Sequence, residues 1–414
     1  MDTLSRIRTG VLGVQMLFVA FGALVLVPLL TGLSPCIALF TAGAGTLLFH
    51  ALTGGKVPIF LASSFAFIAP IQQGVQQFGL GATLGGLAAA GLVYLALSLM
   101  IRFGGANTIH RLMPPIVTGP VIMVIGLKLA PVAVSMSRSF TAGGAAEGQA
   151  MAVALASLAT AIVVVIFGKG TFRLIPILCG VAVGYTICLI LGRVDFQAIR
   201  DAAWLSTPWN DALRCGQFEL PRLDWAAIAF IVPVALAPAI EHVGDILAIS
   251  NVTGQDYVRD PGLHRTLLGD GLATSLAAML GGPPNTTYSE VTGAVALTRA
   301  FNPVYMRIAA VAAMLAAFVS KLGGFLRTIP SPVMGGIMVL LFGMIAAIGA
   351  GTLVKAGTDM SKPRNLVIAS VILVVGIGDL QICCGRFTMG GIGLAGLVGI
   401  LLNMVLPNEE TAKA

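Results

Sequence analysis

Charged side chains are scarce in this sequence. Asp, Glu, Lys and Arg together make up 10% of the 414 residues, whereas hydrophobic residues make up 57%. Soluble domains contain about 25% charged residues, so this composition excludes an ordinary soluble fold. Mean hydropathy is +0.96, and long apolar runs recur along the chain. The sequence therefore predicts a polytopic, all-α membrane protein whose solvent is the lipid bilayer.

Cysteine, histidine and catalytic motifs are also sparse. The six cysteines have no metal-ligand spacing, and Cys36, Cys179 and Cys188 lie in apolar runs. They indicate neither a disulfide framework nor zinc. The sequence contains no P-loop and no nucleophile–base pair, so it argues against an enzyme and predicts no cofactor and no metal. The net charge of +7 fits basic cytoplasmic loops better than a nucleic-acid surface.

The apolar runs predict about fourteen transmembrane spans. They are 10–31, 33–53, 57–76, 80–102, 112–131, 149–168, 173–192, 225–250, 265–281, 285–300, 303–322, 331–350, 365–382 and 388–407. An even number places both termini on one side, and most Lys and Arg residues fall on that side, so we expect both termini to be cytoplasmic. Arg6 and Arg8 precede the first span without a small-residue cleavage site, which predicts a retained helix rather than a signal peptide.

An internal repeat divides these spans into two sets of seven. Residues of span five recur 217 positions later in span twelve: Pro115, Gly119 and Gly126 correspond to Pro332, Gly336 and Gly343. Ser63-Ser-Phe65 in span three likewise resembles Thr286-Thr-Tyr288 in span ten. Because seven is odd, two tandem units must have opposite topologies. We therefore predict a 7+7 inverted repeat, which is typical of secondary transporters.

Spans three and ten each contain a short segment that we expect to be extended. Pro58 and Pro70 flank residues 61–67, and Pro283-Pro284 prevents a helix at the start of span ten. Extended backbone survives at membrane depth only where its amides find partners in protein, water or ligand. Each segment would lead into a half-helix whose N-terminus favours a negative charge or an acceptor oxygen.

Acidic residues interrupt span eight and follow the second extended segment. Glu241 and Asp245 are four residues apart, so they project from one face of a helix. A carboxylate at mid-bilayer costs about 2.5–3.5 kcal/mol on insertion scales, which indicates a functional site. His242 lies about 100° around the helix, and we expect it to pack against another helix. Asp270 and Asp379 lie near span ends, where a solvated or capping role is expected.

The predicted site has both hydrogen-bond acceptors and donors. Glu241 and Glu290 offer acceptors, the backbone N–H groups near Phe65 and Ser289 offer donors, and the rings of Phe65 and Tyr288 could stack. A small, flat, neutral ligand with alternating N–H and C=O groups, such as a nucleobase, fits this set. An anion would be repelled by the glutamates.

Proton coupling is predicted from the spacing of Glu241 and Asp245. Two carboxylates in a low-dielectric site repel each other, so at least one should hold a proton near neutral pH. A group that takes up a proton on one side and releases it on the other is what proton symport requires. The alternative is that Asp245 bonds to a neighbouring Ser, Thr or backbone amide and never titrates.

Four segments of the sequence resemble one transporter family. They are Ala62-Ser-Ser-Phe-Ala-Phe67, Glu241-His-Val-Gly244, Arg259-Asp-Pro-Gly-Leu-His-Arg265 and Pro284-Asn-Thr-Thr-Tyr-Ser-Glu290. The resemblance is to the nucleobase–cation symporters of the nucleobase/ascorbate type, and above all to their bacterial uracil-transporting members. It extends over essentially the whole chain. It implies that a core domain moves against a gate domain, that nucleobase and protons cross the cytoplasmic membrane together, and that the protein is a homodimer.

The resemblance also implies a division of the chain. The expected parts are core 1–103 (spans 1–4), gate 104–193 (spans 5–7), an extracytoplasmic loop 194–224, core 225–322 (spans 8–11), gate 323–407 (spans 12–14) and a cytoplasmic tail 408–414. Glu241 and Glu290 would bind the base with help from the amides of Phe65 and Ser289. Ala23, Tyr288 and Phe342 would line the pocket.

Several positions depart from the pattern of uracil-transporting members. Gln15-Met16 replaces Gln-His, Ser289 replaces Gly, Phe342 replaces Tyr, and Asp245 stands where those members have His and purine members have Asp. Glu290 favours a pyrimidine, because purine members more often have Gln. We therefore expect a proton-coupled uracil importer of the bacterial inner membrane. A xanthine or other purine permease, or an anion exchanger of the same architecture, remains an alternative.

Overall fold

The chain is built almost entirely from helices. The computed structural model describes residues 3–105, 113–140, 147–384 and 387–407, except for the side chains of residues 3–8, 171, 383–384 and 387–389. The predicted tail 408–414 and the start of predicted span five at residue 112 lie outside the described residues.

The helices of the first half, up to the predicted extracytoplasmic loop, are α1 (Thr3–Val19), α2 (Phe21–Thr31), α3 (Pro35–Leu52), α4 (Ile68–Phe78), α5 (Leu80–Gly104), α6 (Pro115–Arg138), α7 (Glu147–Phe167) and α8 (Pro176–Ile190). That loop contains α9 (Gln197–Asp201) and α10 (Pro208–Arg214). The remaining helices are α11 (Trp225–Ile231), α12 (Leu236–Thr253), α13 (Leu263–Met279), α14 (Ser289–Thr298), α15 (Val304–Ala317), α16 (Ser320–Arg327), α17 (Ser331–Lys355), α18 (Pro363–Ile377) and α19 (Gly391–Val405). The strands are β1 (Leu61–Ser63), β2 (Asn285–Thr287), β3 (Gln381–Cys384) and β4 (Phe387–Gly390).

Many of these helices are apolar enough to lie in a bilayer. Within the described ranges, seven helical segments are long and apolar enough to cross a membrane, or eight if the bent pair α15–α16 is one span. Helices α8, α18 and α19 are shorter but apolar. These segments make the chain a multi-pass membrane protein, and the count of about fourteen spans stays a prediction.

The helices pack in two groups. Helices α1, α3, α5, α13 and α15 contact one another, with α13 lying along α5 and α15 along α3. The second group contains α6, α7, α8, α17, α18 and α19, with α17 lying along α6. Strands β1 and β2, with the helices that follow them, lie between α3, α12, α13 and the second group.

Glycines allow the backbones of α6 and α17 to touch. A Cβ atom on Gly126 would lie 2.3 Å from the carbonyl oxygen of Phe342, and one on Gly119 would lie 2.9 Å from that of Gly349. Small residues at such crossings let helices approach closely in a bilayer. The two helices that carry the sequence repeat therefore form one tightly packed pair.

Strands β1 and β2 lie in the two segments that the prolines predicted to be extended, although the end of the first, Phe65–Phe67, is a 3-10 turn. They pair antiparallel, with Leu61 opposite Thr287 and Ser63 opposite Asn285. The hydroxyl oxygen of Thr46 accepts from the amide of Leu61 at 2.9 Å. The side-chain amide of Asn285 donates to the carbonyl of Thr41 at 2.8 Å. The first bond satisfies a strand amide that has no helical partner, and the second attaches β2 to α3.

The sequence predicted a helical membrane protein with two short extended segments. The described residues contain four short strands, so the predicted number was too small. Strands β3 and β4 also pair antiparallel, with Gln381 opposite Gly390. The spans 365–382 and 388–407 were assigned through this region because hydropathy does not separate a short apolar strand from a helix. The helical parts of these spans end at Ile377 and begin at Gly391.

Two further helices depart from the predicted boundaries. The first span is broken at Ala20, between α1 and α2. Span eleven turns by 85° after Ala317, so Ser320–Arg327 forms a separate helix. The predicted domain boundary between residues 322 and 323 falls within this helix, and the division into core and gate stays a prediction.

Candidate functional site

The site forms where the two paired strands end and two helices begin. After β1 the backbone makes a single 3-10 turn, Phe65–Phe67, that leads into α4. After β2 it passes through Tyr288, whose backbone is extended, into α14, which begins at Ser289. The first N–H groups of a helix have no carbonyl in the preceding turn. The amides of Phe65 and Ser289 are therefore placed as donors at the ends of two antiparallel strands.

The paired strands, α12, α14 and two helices of the second group line one narrow cavity of about 20 Å³. Its lining residues are Ser63, Phe65, Ile122, Ile125, Glu241, Thr286, Thr287, Tyr288, Ser289, Glu290, Ile345 and Ile348. The polar members come from β1, β2, α12 and α14, and the four isoleucines come from α6 and α17. The cavity thus has a polar side, supplied by the paired strands with α12 and α14, and an apolar side, supplied by two helices of the second group.

Glu241 and Glu290 both face this cavity and are partly exposed to it. Glu241 lies in the second turn of α12, and Glu290 is the second residue of α14. A negative charge in the first turn of a helix interacts favourably with the helix dipole. Two acceptor carboxylates and two donor amides are therefore arranged around the same small space.

Asp245 lies one turn beyond Glu241 and does not line the cavity. It is buried, and its carboxylate accepts hydrogen bonds from the hydroxyls of Thr287, at 2.8 Å, and Ser289. The alternative of bonding to neighbouring Ser and Thr hydroxyls is therefore the arrangement found. These contacts fasten α12 to the end of β2 and the start of α14.

Three aromatic rings pack beside the carboxylates. The ring centroids of Phe65 and Tyr288 are 6.2 Å apart, and those of Phe65 and Phe342 are 6.0 Å apart with the rings nearly perpendicular. Phe342 is buried behind Phe65 and does not itself line the cavity. Ala23 is also buried, in α2, next to Gly22, which faces the Tyr288 hydroxyl.

Five of the seven predicted substrate residues therefore lie around one cavity, and two lie behind them. Glu241, Glu290, Phe65, Ser289 and Tyr288 line it. Phe342 packs against Phe65 and Ala23 is buried in α2, and the contact of either residue with a substrate stays a prediction.

The expectation for Asp270 was wrong, because this residue is fully buried. Its carboxylate lies 3.2 Å from Nδ1 of His242, which is also 0% exposed, although the ring is not aligned for a good hydrogen bond. The Thr286 hydroxyl donates to Asp270 at 3.3 Å. His242 thus packs against another helix, as expected. Asp270 is a second acid, besides Asp245, whose carboxylate accepts a hydrogen bond from β2.

A local signal for this burial was present in the sequence. Gly269 and Gly271 flank Asp270; a Cβ on Gly269 would lie 2.9 Å from the ring of Phe49, and one on Gly271 would lie 2.4 Å from Cβ of Tyr94. Glycines on both sides of an acid allow α3 and α5 to close around it. Hydropathy alone placed Asp270 near a wet span end.

A second cavity of about 140 Å³ adjoins the site. It is lined by Met113, Pro115, Thr118, Ile122, Ile240, Val243, Gly244, Leu247 and Thr352. Ile122 lines both cavities, so its side chain separates the carboxylates from this larger space. On the opposite side of the site, the Gln73 side chain of α4 donates to Asp379 at 3.2 Å, and Asp379 pairs with Lys128 at 2.5 Å.

A polar site enclosed by apolar helices is typical of a membrane transporter. Residues 8–383 match the sequence model of the Permease family named for xanthine and uracil permeases. The chain belongs to this family, the nucleobase/ascorbate transporters, which confirms the resemblance inferred from the four segments.

Individual proteins show the same relationship. The chain is 53% identical over 406 residues to the probable uracil permease of Haemophilus influenzae, covering 98% of this chain and 96% of that protein. It is 44% identical over 402 residues to the uracil permease of Bacillus caldolyticus, covering 97% and 92%. The fold is similar to the transmembrane domain of a cyanobacterium bicarbonate transporter, BicA, with a TM-score of 0.63 and 15% identity over 97% of this chain and 98% of that one.

Proposed function

We propose that this protein is a proton-coupled symporter that imports a nucleobase, most favourably uracil. The observation that carries the proposal is the cavity in which Glu241 and Glu290 face the amides that follow β1 and β2. The family and the similarity to uracil permeases support the substrate class.

The chemistry of the cavity matches an uncharged imide. Ionised Glu241 and Glu290 can each accept an N–H of the base, and the amides of Phe65 and Ser289 can each donate to a carbonyl oxygen. The rings of Phe65 and Tyr288 offer faces on which a flat ring can stack. An alternating donor and acceptor edge would satisfy all four groups at once.

The coupled proton would be carried by Glu241 or Asp245. Glu241 faces the cavity, whereas Asp245 is joined to it through the hydroxyl of Ser289, which both lines the cavity and donates to Asp245. Protonation of either acid changes the number of acceptors and the charge beside the substrate. Binding of substrate and proton would then depend on each other.

Transport would proceed by alternating access between a core and a gate. The polar residues of the site lie on the paired strands, α12 and α14, and the isoleucines lie on α6 and α17, so relative motion of these two sides would open or close it. The cavity beyond Ile122 would be the inner approach, and the contact of Gln73 with Asp379 would join the groups on the outer side. We further propose the 7+7 inverted repeat, with core 1–103 and 225–322 and gate 104–193 and 323–407.

The proposed setting is the bacterial cytoplasmic membrane, with both termini in the cytoplasm. The distribution of Lys and Arg supports this orientation, and the resemblance to the family supports a homodimer. The bilayer and protons are the other partners, and no role for nucleic acid is proposed.

Two alternatives concern the substrate. A xanthine or purine permease is favoured by Asp245, which purine-transporting members share. An anion exchanger is compatible with the fold, since BicA is a bicarbonate transporter, but fold alone does not determine the substrate. Two glutamates at the cavity disfavour an anion.

Uptake into proteoliposomes tests the proposal. Labelled uracil should accumulate when the outside is more acidic than the lumen, and much less without a pH gradient. Excess unlabelled uracil should compete fully, and xanthine, guanine and bicarbonate should compete weakly. Uptake without any gradient dependence would refute coupling, and strong competition by xanthine or bicarbonate with none by uracil would favour the corresponding alternative.

A further inference from the structure

The apolar side of the cavity consists of isoleucines at matching spacings on two helices. Ile122 and Ile125 are three residues apart on α6, and Ile345 and Ile348 are three apart on α17, so each pair lies on one helix face. Ile122, Ile125 and Ile345 are buried, whereas Ile348 is 43% exposed at the edge. We propose that Ile122, Ile125 and Ile345 form a wall that limits the site to single-ring bases and excludes fused purine rings.

The position of the wall follows from how an imide would bind, so this inference rests on the proposed function. In uracil, N1–H, C2=O, N3–H and C4=O form a continuous polar edge that the carboxylates and amides would engage. The remaining edge, C5–H and C6–H, is apolar and would face the isoleucines. A purine such as xanthine carries its imidazole ring fused at this edge. Its second ring would therefore meet the wall.

The backbones of α6 and α17 are in contact behind the wall, so the isoleucines have little room to move away from a ligand. Gly126, next to Ile125, brings α6 against the backbone of α17 at Phe342 and Ala346. Isoleucine is branched at Cβ and holds few side-chain conformations in a helix. The narrow cavity, about 20 Å³, must widen even for one ring. A wall of stiff side chains on touching helices would allow less widening than one of methionines.

Polarity adds to the effect of size. The imidazole of a purine has an N–H and a bare nitrogen, and the wall offers neither an acceptor nor a donor to them. A buried polar group without a partner is disfavoured relative to one in water. The wall would therefore reject a purine both because the ring is large and because its edge is polar.

Binding measurements with a graded series of ligands test the wall. The ligands are uracil, thymine, which adds only a methyl group at C5, and xanthine, which adds a fused ring. The purified, reconstituted wild type should bind them with affinity falling in that order. In Ile122→Ala and Ile345→Ala, the preference for uracil over thymine should fall by about tenfold or more, the effect of one methylene in an apolar pocket. The preference over xanthine should also fall, by a smaller factor.

Matched variants separate the wall from general damage to the helix. Ile337→Ala makes the same change on α17 at a buried position that packs against Gly180 and lies outside the cavity. It should leave both preferences within twofold of wild type. Ile345→Val, which removes one methyl group, should shift them in the same direction but less. Ile345→Phe should weaken uracil binding by overfilling the cavity.

The outcomes distinguish this inference from the proposed function. If uracil binds normally and the preferences stay within twofold in Ile122→Ala, Ile345→Ala and Ile345→Val, the wall is refuted and the proposed function stands. If the folded wild type binds no uracil, the proposed function fails and the wall falls with it. Thermal unfolding of each variant identifies misfolded protein, for which Ile345→Val provides the milder replacement.

Discussion

Thr287 donates a hydrogen bond of 2.8 Å to Asp245 and so joins β2 to the helix that carries Glu241. The hydroxyl of Ser289 donates to the other carboxylate oxygen of Asp245. One acid therefore holds the strand, the following helix and α12 in register. Displacement of any of these elements would change the position of Glu241 relative to Glu290.

The two cavity glutamates are the most direct targets for substitution. Glu241→Gln and Glu290→Gln should each abolish measurable uracil binding. A hydrogen bond to a charged group contributes about 1.5–3 kcal/mol, and the new amide can turn an N–H toward the N–H of the base. Calorimetric titration measures the loss. Glu147→Gln is the control, because Glu147 is exposed and pairs with Arg138 far from the cavity; normal binding in either cavity variant would refute the site.

Asp245 should act on coupling more than on binding. In Asp245→Asn we expect retained uracil binding and exchange, with a weaker response of uptake to an imposed pH gradient. Asparagine keeps the shape that Thr287 and Ser289 contact but cannot carry the proton. Thr287→Val removes one donor and leaves the carboxylate, so its gradient response should persist. An unchanged gradient response in Asp245→Asn would assign coupling to Glu241 alone.

The buried contact of His242 with Asp270 should matter for stability. Removal of this carboxylate leaves the buried Thr286 hydroxyl without its acceptor, at a cost of about 1–3 kcal/mol, so Asp270→Ala should lower the unfolding temperature. Asp270→Asn should lower it less, because it can still accept from Thr286. Asp256→Ala serves as control, since Asp256 pairs with Arg259 at the surface. Equal unfolding temperatures for Asp270→Ala and Asp256→Ala would contradict this assignment.

Gly126 and its repeat counterpart Gly343 should respond differently to the same change. A methyl group on Gly126 would meet the carbonyl of Phe342 at 2.3 Å, whereas one on Gly343 would meet nothing within 4 Å. Overpacking typically costs about 1–3 kcal/mol, so Gly126→Ala should reduce stability and weaken uracil binding. Gly343→Ala should change neither. Thermal unfolding and titration of both proteins provide the comparison, and similar behaviour of the two would argue against the close crossing.

The ion pair of Lys128 with Asp379 should stabilise the second helix group. The two side chains are 12% and 32% exposed, and Gln73 also donates to Asp379. Lys128→Met leaves the carboxylate without its charged partner, at a cost of about 1–3 kcal/mol. The double variant Lys128→Met with Asp379→Asn should recover part of the loss in unfolding temperature. Additive losses in the double variant would mean that the two residues act independently.

Local signals in the sequence were enough to predict the polar side of the site. Prolines mark β1 and β2, and acids in an apolar chain mark Glu241 and Glu290, because both residue types are costly in a membrane helix. The antiparallel pairing of the two strands was not predicted from the sequence, because it depends on which segments are neighbours.

Other parts depend on which helices are neighbours, and hydropathy contains no such information. The depth of Asp270 is set by contacts with α3 and α5, and the bend before α16 has no charge or proline to mark it. The isoleucines of the cavity have the same hydropathy as isoleucines that face lipid. Only the crossing of α6 with α17 distinguishes Ile125 and Ile345 from the rest.

The pairing of Ser63 with Asn285 also constrains how the protein is made. Strand β1 leaves the ribosome long before β2 exists, so its amides must find temporary partners in the early chain, the insertion machinery or water. A truncated product that ends before residue 285 would lack β2 and the start of α14, and β1 would have no strand to pair with. Assembly of the candidate site is therefore a late event in biogenesis, and the nascent first half depends on the second for its completion.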